Sequence, residues 1–220
     1  MDSLFETSVT LRSQVRVLRA EPAAPLVIAL HGWGMNTRTF ARWLRPGVEQ
    51  GGASWWLPRG ILPCEVTSPP KRRIGYAWYV FDGDQDTLRA SMDESMAYLT
   101  SLVAMAREAL RPSSVALLGF SQGAYLSSYV ALSRPDLFDT LVCCAGRPKA
   151  EFIDDLDAAK SVRVLVQSGS EDTSVTPELI QKGVQPLVDA GLNVDSRTYD
   201  AGHRLTSEMA EEAAGFVLAE

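Results

Sequence analysis

Apolar residues gather in short unbroken runs, PLVIAL at 25–30, SVALLGF at 114–120, TLVCCA at 140–145 and VRVLVQS at 162–168. Runs of this length and continuity are those of strands covered on both faces. Weaker strand patterns occur at LFETSVTL (4–11), SQVRVLRA (13–20), ASWWLP (53–58) and NVDSRTY (193–199). Between them the period changes. Leu88, Met92, Met96, Leu99, Val103, Ala106 and Leu110 recur at steps of three and four, the stripe of an amphipathic helix over about 86–110. TRTFARWLRPGVEQ (37–50) predicts a helix capped by Asn36, Thr176 followed by Pro177 and Glu178 opens another, and a last helix begins near Thr206. Alternating strands and helices predict an α/β fold, a mostly parallel central sheet with helices on both faces, in one domain over 1–220. Residues 58–85 read as a long irregular loop, with Cys64 inside it.

Composition narrows the function. Apolar residues make up 46% and charged residues 22%, enough for a core, and 21 Lys plus Arg against 27 Asp plus Glu give a net charge of −6. That balance argues against nucleic acid and anionic membrane as partners. The start MDSLFETSVTLRSQ is neither basic nor apolar, so a signal peptide and stable membrane insertion are not expected and a cytoplasmic location is. Three cysteines without metal spacing fit that compartment, with Cys143 and Cys144 as core residues of a strand. No metal or cofactor is implied, and a homodimer is compatible with the sequence.

In open α/β sheets, sites form beyond the carboxyl ends of the strands. One such end reads Gly119-Phe120-Ser121-Gln122-Gly123, a G-x-S-x-G pattern between a strand and a helix. A serine on a tight strand-to-helix turn takes a strained backbone, and side chains two residues away would collide, hence the glycines. A helix-capping serine would be the plainer reading. A nucleophile needs a base, an orienting carboxylate and oxyanion donors. Only two histidines exist. His203 follows the last strand, where the chain order serine, acid, histidine requires the base. His31, followed by Gly32, is read as an anchor for the loop after PLVIAL. The loop after VRVLVQS offers the acid: Asp172 is preferred, with Glu171 and Asp200 as alternatives. Backbone N–H groups of Trp33 and Gln122 would form the oxyanion hole.

These residues resemble the carboxylesterase and acyl-protein thioesterase branch of the α/β-hydrolases. LHGWG is similar to the family's L-H-G-x-G oxyanion loop, GFSQGA to its nucleophile elbow, SGSEDTSVTP to its acid loop and AGH to its histidine turn. AWYVFDG (77–83) resembles a segment that lines the family's active site. The resemblance implies Ser121, Asp172 and His203 as the catalytic set, and favours Asp172 over Glu171. It departs at Met35 and Asn36, where the family often has Asp, and at Ser168, where it often has His.

Residues 146–161 are too few for a separate cap domain, so the site should be open. Ile61, Leu62, Trp78 and Tyr79 are the expected pocket wall. Arg59, Lys71, Arg72 and Arg73 read as a solvated face, with an anionic head-group site as the sharper alternative. The function expected is a metal-free serine hydrolase of small-molecule carboxylic esters, with thioesters as a related class. A lactone or dienelactone hydrolase of the same fold and a non-catalytic ligand-binding relative are the rivals.

Overall fold

The computed structural model of the protein describes residue 10, residues 12–68 and residues 71–219. Its strands β1 (Val15–Arg19), β2 (Leu26–Leu30), β3 (Ser54–Pro58), β6 (Val115–Phe120), β7 (Thr140–Cys144), β8 (Arg163–Gly169) and β9 (Val194–Tyr199) form one sheet in the order β1-β3-β2-β6-β7-β8-β9. All neighbours are parallel except β1, which pairs antiparallel with β3. The strand expected at 4–11 lies outside the described residues.

Side-chain alternation divides the continuous apolar strands between two cores. In β2, Leu26, Ile28 and Leu30 enter one and Val27 and Ala29 the other; in β6, Leu117 and Leu118 part in the same way. Helix α2 (Gln85–Leu110), α3 (Gln122–Ser133) and α4 (Pro177–Asp189) cover the first face. Helices α1 (Thr37–Glu49) and α5 (Ser207–Leu218) cover the second and pack on each other. The expected stripe of α2 is buried at Leu88, Met92, Leu99, Val103, Ala106 and Leu110, and each large apolar side chain so removed from water contributes about 2 kcal/mol. The helix starts also follow local chemistry. Asn36 Oδ1 accepts from Thr39 N at 2.9 Å, and Thr176 and Thr206 cap α4 and α5 through their hydroxyls.

The segment read as irregular is not. Strands β4 (Leu62–Ser68) and β5 (Lys71–Ala77) form an antiparallel hairpin outside the main sheet, and Cys64 is a strand residue rather than a loop residue. Three of the four outer positions of β5 are charged and all four are exposed, so burial imposes no alternation that a sequence pattern could carry. Among the described residues no helix is long and apolar enough to cross a membrane.

Candidate active site

Ser121 stands between β6 and α3 with φ 53° and ψ −118°, a left-handed conformation costly for a residue with a Cβ. Its neighbours hold it there. Ser121 N donates to Cys144 O at 2.9 Å, and its carbonyl accepts from Ala124 N at 2.8 Å and Tyr125 N at 3.2 Å. The flanking glycines are explained by contact. A Cβ on Gly119 would meet Gly123 O at 2.1 Å, and one on Gly123 would meet Leu30 O at 2.3 Å. Helix, elbow and β2 pack backbone against backbone at this point.

The loops after β8 and β9 are stitched together by Ser170 N to Tyr199 O (2.8 Å) and Glu171 N to Ala201 O (3.0 Å). That stitching brings three distant residues into line. His203 Nε2 lies 2.9 Å from Ser121 Oγ, and His203 Nδ1 lies 2.7 Å from Asp172 Oδ2. With Nδ1–H donating to the carboxylate, Nε2 is the free acceptor for the serine hydroxyl. Asp172 Oδ1 accepts from Ser174 N and Val175 N, each at 2.8 Å, so both carboxylate oxygens are engaged. Its side chain is wholly buried, whereas Glu171 and Asp200 are exposed. Phe120 packs against the His203 ring at 5.3 Å between centroids.

The amides of Trp33 and Gln122 donate to no protein acceptor among the described residues. Gln122 begins α3, so its N–H is one of the free donors at the positive end of the helix. An unengaged amide next to Ser121 in the chain is a donor that can receive an anion.

His31 is fully buried. Its Nδ1 donates to Gly32 O at 2.8 Å and its Nε2 accepts from Gly60 N at 3.1 Å. Burial lowers its pKa from 6.5 to about 4, so it is neutral in the fold. Because the unfolded chain takes up a proton first, stability should be unaffected by this group above about pH 6.5 and should fall by about 3 kcal/mol as pH drops toward 4. Denaturant unfolding at neutral pH and near pH 4.5 checks this. His31→Gln should be less stable at neutral pH and should lose that part of the acid dependence.

Trp78 corrects the expectation of a pocket wall. It is fully buried, its indole Nε1 donates to His31 O at 2.8 Å, and its ring lies 5.0 Å from the His31 imidazole. It supports the loop after β2 from beneath and offers no face to a ligand. Ile61 lines another cavity, of about 310 Å³, with Arg59, Glu94 and Tyr98. Leu62 is half-buried in β4 opposite Ala77. Tyr79 alone of the four lines a cavity of about 300 Å³ that it shares with Tyr125 of α3.

Two supports were not anticipated. The Gln122 side chain accepts from Trp78 N at 3.0 Å and donates to Tyr79 O at 2.9 Å, tying the elbow to Trp78 and Tyr79. The hairpin clamps the loop that carries Trp33: Gly34 N donates to Tyr76 O and Tyr76 N to Met35 O, both at 2.9 Å, and Arg73 Nη1 donates to Gly34 O at 2.5 Å. Arg73 is thus engaged by the protein, and Arg72 pairs with Glu65. The seven-residue runs on either side of Pro69 and Pro70 were the available hairpin signal. Cys143 and Cys144 are buried, and burial pushes the Cys143 thiol up to about 12, so it is no rival nucleophile.

Comparison with known proteins agrees with this architecture. Among curated proteins none matches the chain. Among solved structures, the esterase PE8 superposes with a TM-score of 0.76 at 21% identity, over 94% of this chain and 98% of that one. A carboxylesterase from Mesorhizobium loti gives 0.73 at 20% identity, over 96% of each chain. Acyl-protein thioesterase 2 from Zea mays gives 0.73 at 21% identity, over 94% of this chain and 98% of that one. At such identities the likeness is one of fold, that of the α/β-hydrolases. The family model described as Phospholipase/Carboxylesterase matches residues 14–219, from before β1 to beyond α5, and the chain therefore belongs to that family.

Proposed function

We propose that the protein is a serine hydrolase of carboxylic esters, with thioesters as a related class, acting through an acyl-enzyme on Ser121. His203 takes the Ser121 proton as Oγ attacks the acyl carbon, and the tetrahedral oxyanion is received by the amides of Trp33 and Gln122. The C–O bond to the alcohol breaks, and His203 returns the proton to the leaving oxygen. Water then attacks the acyl-serine with His203 as base, releasing the acid and restoring the hydroxyl. Asp172 holds the imidazole with Nε2 toward the serine and stabilises the imidazolium.

The observation that carries this reading is the unbroken line of contacts from Asp172 through His203 to Ser121, at 2.7 and 2.9 Å. The unpaired thiols of Cys64, Cys143 and Cys144 support a reducing compartment such as the cytoplasm. A fluorophosphonate probe tests the chemistry: stoichiometric labelling that maps to Ser121 is expected, and an unlabelled, folded protein would favour a non-catalytic binding role. A panel of aryl esters, acyl thioesters and lactones then separates esterase from lactonase.

The clamped loop gives a second test. A Cβ on Gly75 would lie 2.2 Å from Gly34 O, so Gly75→Ala must displace the loop that carries the Trp33 amide. A shift of that kind should lower kcat/KM on a neutral aryl ester by about 100-fold, while fluorophosphonate labelling still maps to Ser121.

A further inference from the structure

The cavity beside the elbow has an unbalanced charge. It holds about 300 Å³ and is lined by Tyr79, Gln85, Leu88, Tyr125, Arg147 and Lys149 among others. Its lining borders the backbone of the elbow that carries Ser121. Tyr125 N donates to Ser121 O. A Cβ on Gly146, the residue before Arg147, would lie 2.9 Å from Ser121 O and 3.5 Å from the Tyr125 ring.

Both cations are drawn in from solvent. The Arg147 side chain is 16% exposed and that of Lys149 5%. One carboxylate, Glu151, answers both: it accepts from both terminal nitrogens of Arg147 and from Lys149 Nζ at 2.8 Å. The two cations hold the Glu151 carboxyl down at about 2, against the burial that would raise it. The cluster therefore carries one positive charge in excess. Nearby Asp82 and Asp84 are turned to local amides, Asp84 N and Thr87 N.

The count of donors points the same way. Arg147 has five N–H donors, and three are engaged, by Glu151 twice and by Pro148 O. Lys149 has three, of which Glu151 takes one and Gln85 Oε1, at 3.4 Å, a second. Three cationic N–H groups are left without a protein acceptor among the described residues. The backbone beneath is fixed, since Lys149 N donates to Ser128 Oγ at 3.0 Å, and the Lys149 ammonium, 3.9 Å over the Phe152 ring, is also partly engaged by that π face.

We propose that this cavity receives a carboxylate carried by the substrate, which completes a two-to-two charge set with Arg147, Lys149 and Glu151. The proposal rests on the serine-hydrolase reading and names its substrate class: esters with a free carboxylate a short chain away from the scissile carbonyl. The volume suits a chain of roughly four to six carbons, and the aromatic and leucine walls suit its methylenes.

The test compares kcat/KM for aryl hemiesters of succinate, glutarate and adipate with the same compounds methyl-capped at the far carboxyl. A second series places the carboxylate on the aryl alcohol and keeps a neutral acyl group. Wild type should prefer the free acid over its capped partner by at least about tenfold in one of the two series, and that series tells whether the acyl or the alcohol side enters the cavity. The preference ratio should fall toward one in Lys149→Met and in Arg147→Gln, and be partly restored in Arg147→Lys. Free glutarate should also inhibit wild type more strongly than its neutral diamide, a measurement that needs no variant. A ratio near or below one in both series, or a ratio unchanged in both charge-removing variants, would overturn the proposal. If capped esters are hydrolysed and Ser121 is labelled while the ratio is one, the carboxylate site alone fails. If nothing is hydrolysed and Ser121 is not labelled, the hydrolase reading fails with it.

Discussion

Replacing Ser121 with glycine should lower ester hydrolysis by about five orders of magnitude and at the same time raise the resistance of the fold to denaturation. The first effect follows because no other group on the line from Asp172 can form the acyl bond. Removing a nucleophile of this kind leaves only the contribution of oxyanion donors and binding. The second follows from the backbone. At φ 53° and ψ −118° a residue with a Cβ bears a strain of about 1 to 3 kcal/mol, and glycine relieves it at an entropic cost of about 0.5 to 1 kcal/mol. A net gain of about 1 kcal/mol in denaturant unfolding is expected from those two terms. Ser121→Ala, which keeps the Cβ, should lose the activity without that gain. The pair therefore separates chemistry from strain, and equal stability of the two variants would show that the turn is not under tension.

The second large effect is expected at Asp172. Asparagine nearly matches its shape, yet the site is built for two acceptor oxygens: Oδ1 takes two backbone amides and Oδ2 takes the His203 N–H. In Asp172→Asn, a side chain that keeps its carbonyl toward Ser174 N and Val175 N must turn its amide, a donor, toward His203 Nδ1. The imidazole would then carry its proton on Nε2 and could no longer accept from Ser121. A fall in kcat of about 10⁴-fold is expected, with KM changed far less. The variant should still unfold cooperatively, and stopped-flow measurement of the acylation burst should show that acylation itself has slowed. Activity within about tenfold of wild type would remove Asp172 from the mechanism and direct attention to the exposed Glu171.

The residues that were legible are those where one physical demand admits few residue types. Ser121 stood out because the positions two residues before and after it abut backbone oxygens and must be glycine, and His203 because a chain with two histidines places only one after the last strand. The inner strands β2, β6, β7 and β8 were legible because burial on both faces forces continuous apolar runs. The hairpin of β4 and β5 was not. Leu62, Cys64 and Val66 alternate with exposed positions but are only half-buried, and in β5 Lys71 to Ile74 are all exposed, so the weak alternation of one strand had no counterpart in the other. Trp78 shows a different limit. A tryptophan beside the site serves as well for a floor as for a wall, and its burial beneath His31 depends on a partner 47 residues away. The cationic pair Arg147 and Lys149 was likewise silent, since two positive residues in a loop announce a charge but not its enclosure.

The order of the strands carries one more implication. Ser121 rides on the middle of the sheet, but Asp172 and His203 hang from β8 and β9, the last two strands at one border, and among the described residues β9 has no neighbour beyond it. Fraying of that border would separate Asp172 and His203 from the Ser121 hydroxyl while the interior stayed intact. Loss of turnover on warming should therefore precede melting, and the enzyme would fall silent some degrees before it unfolds.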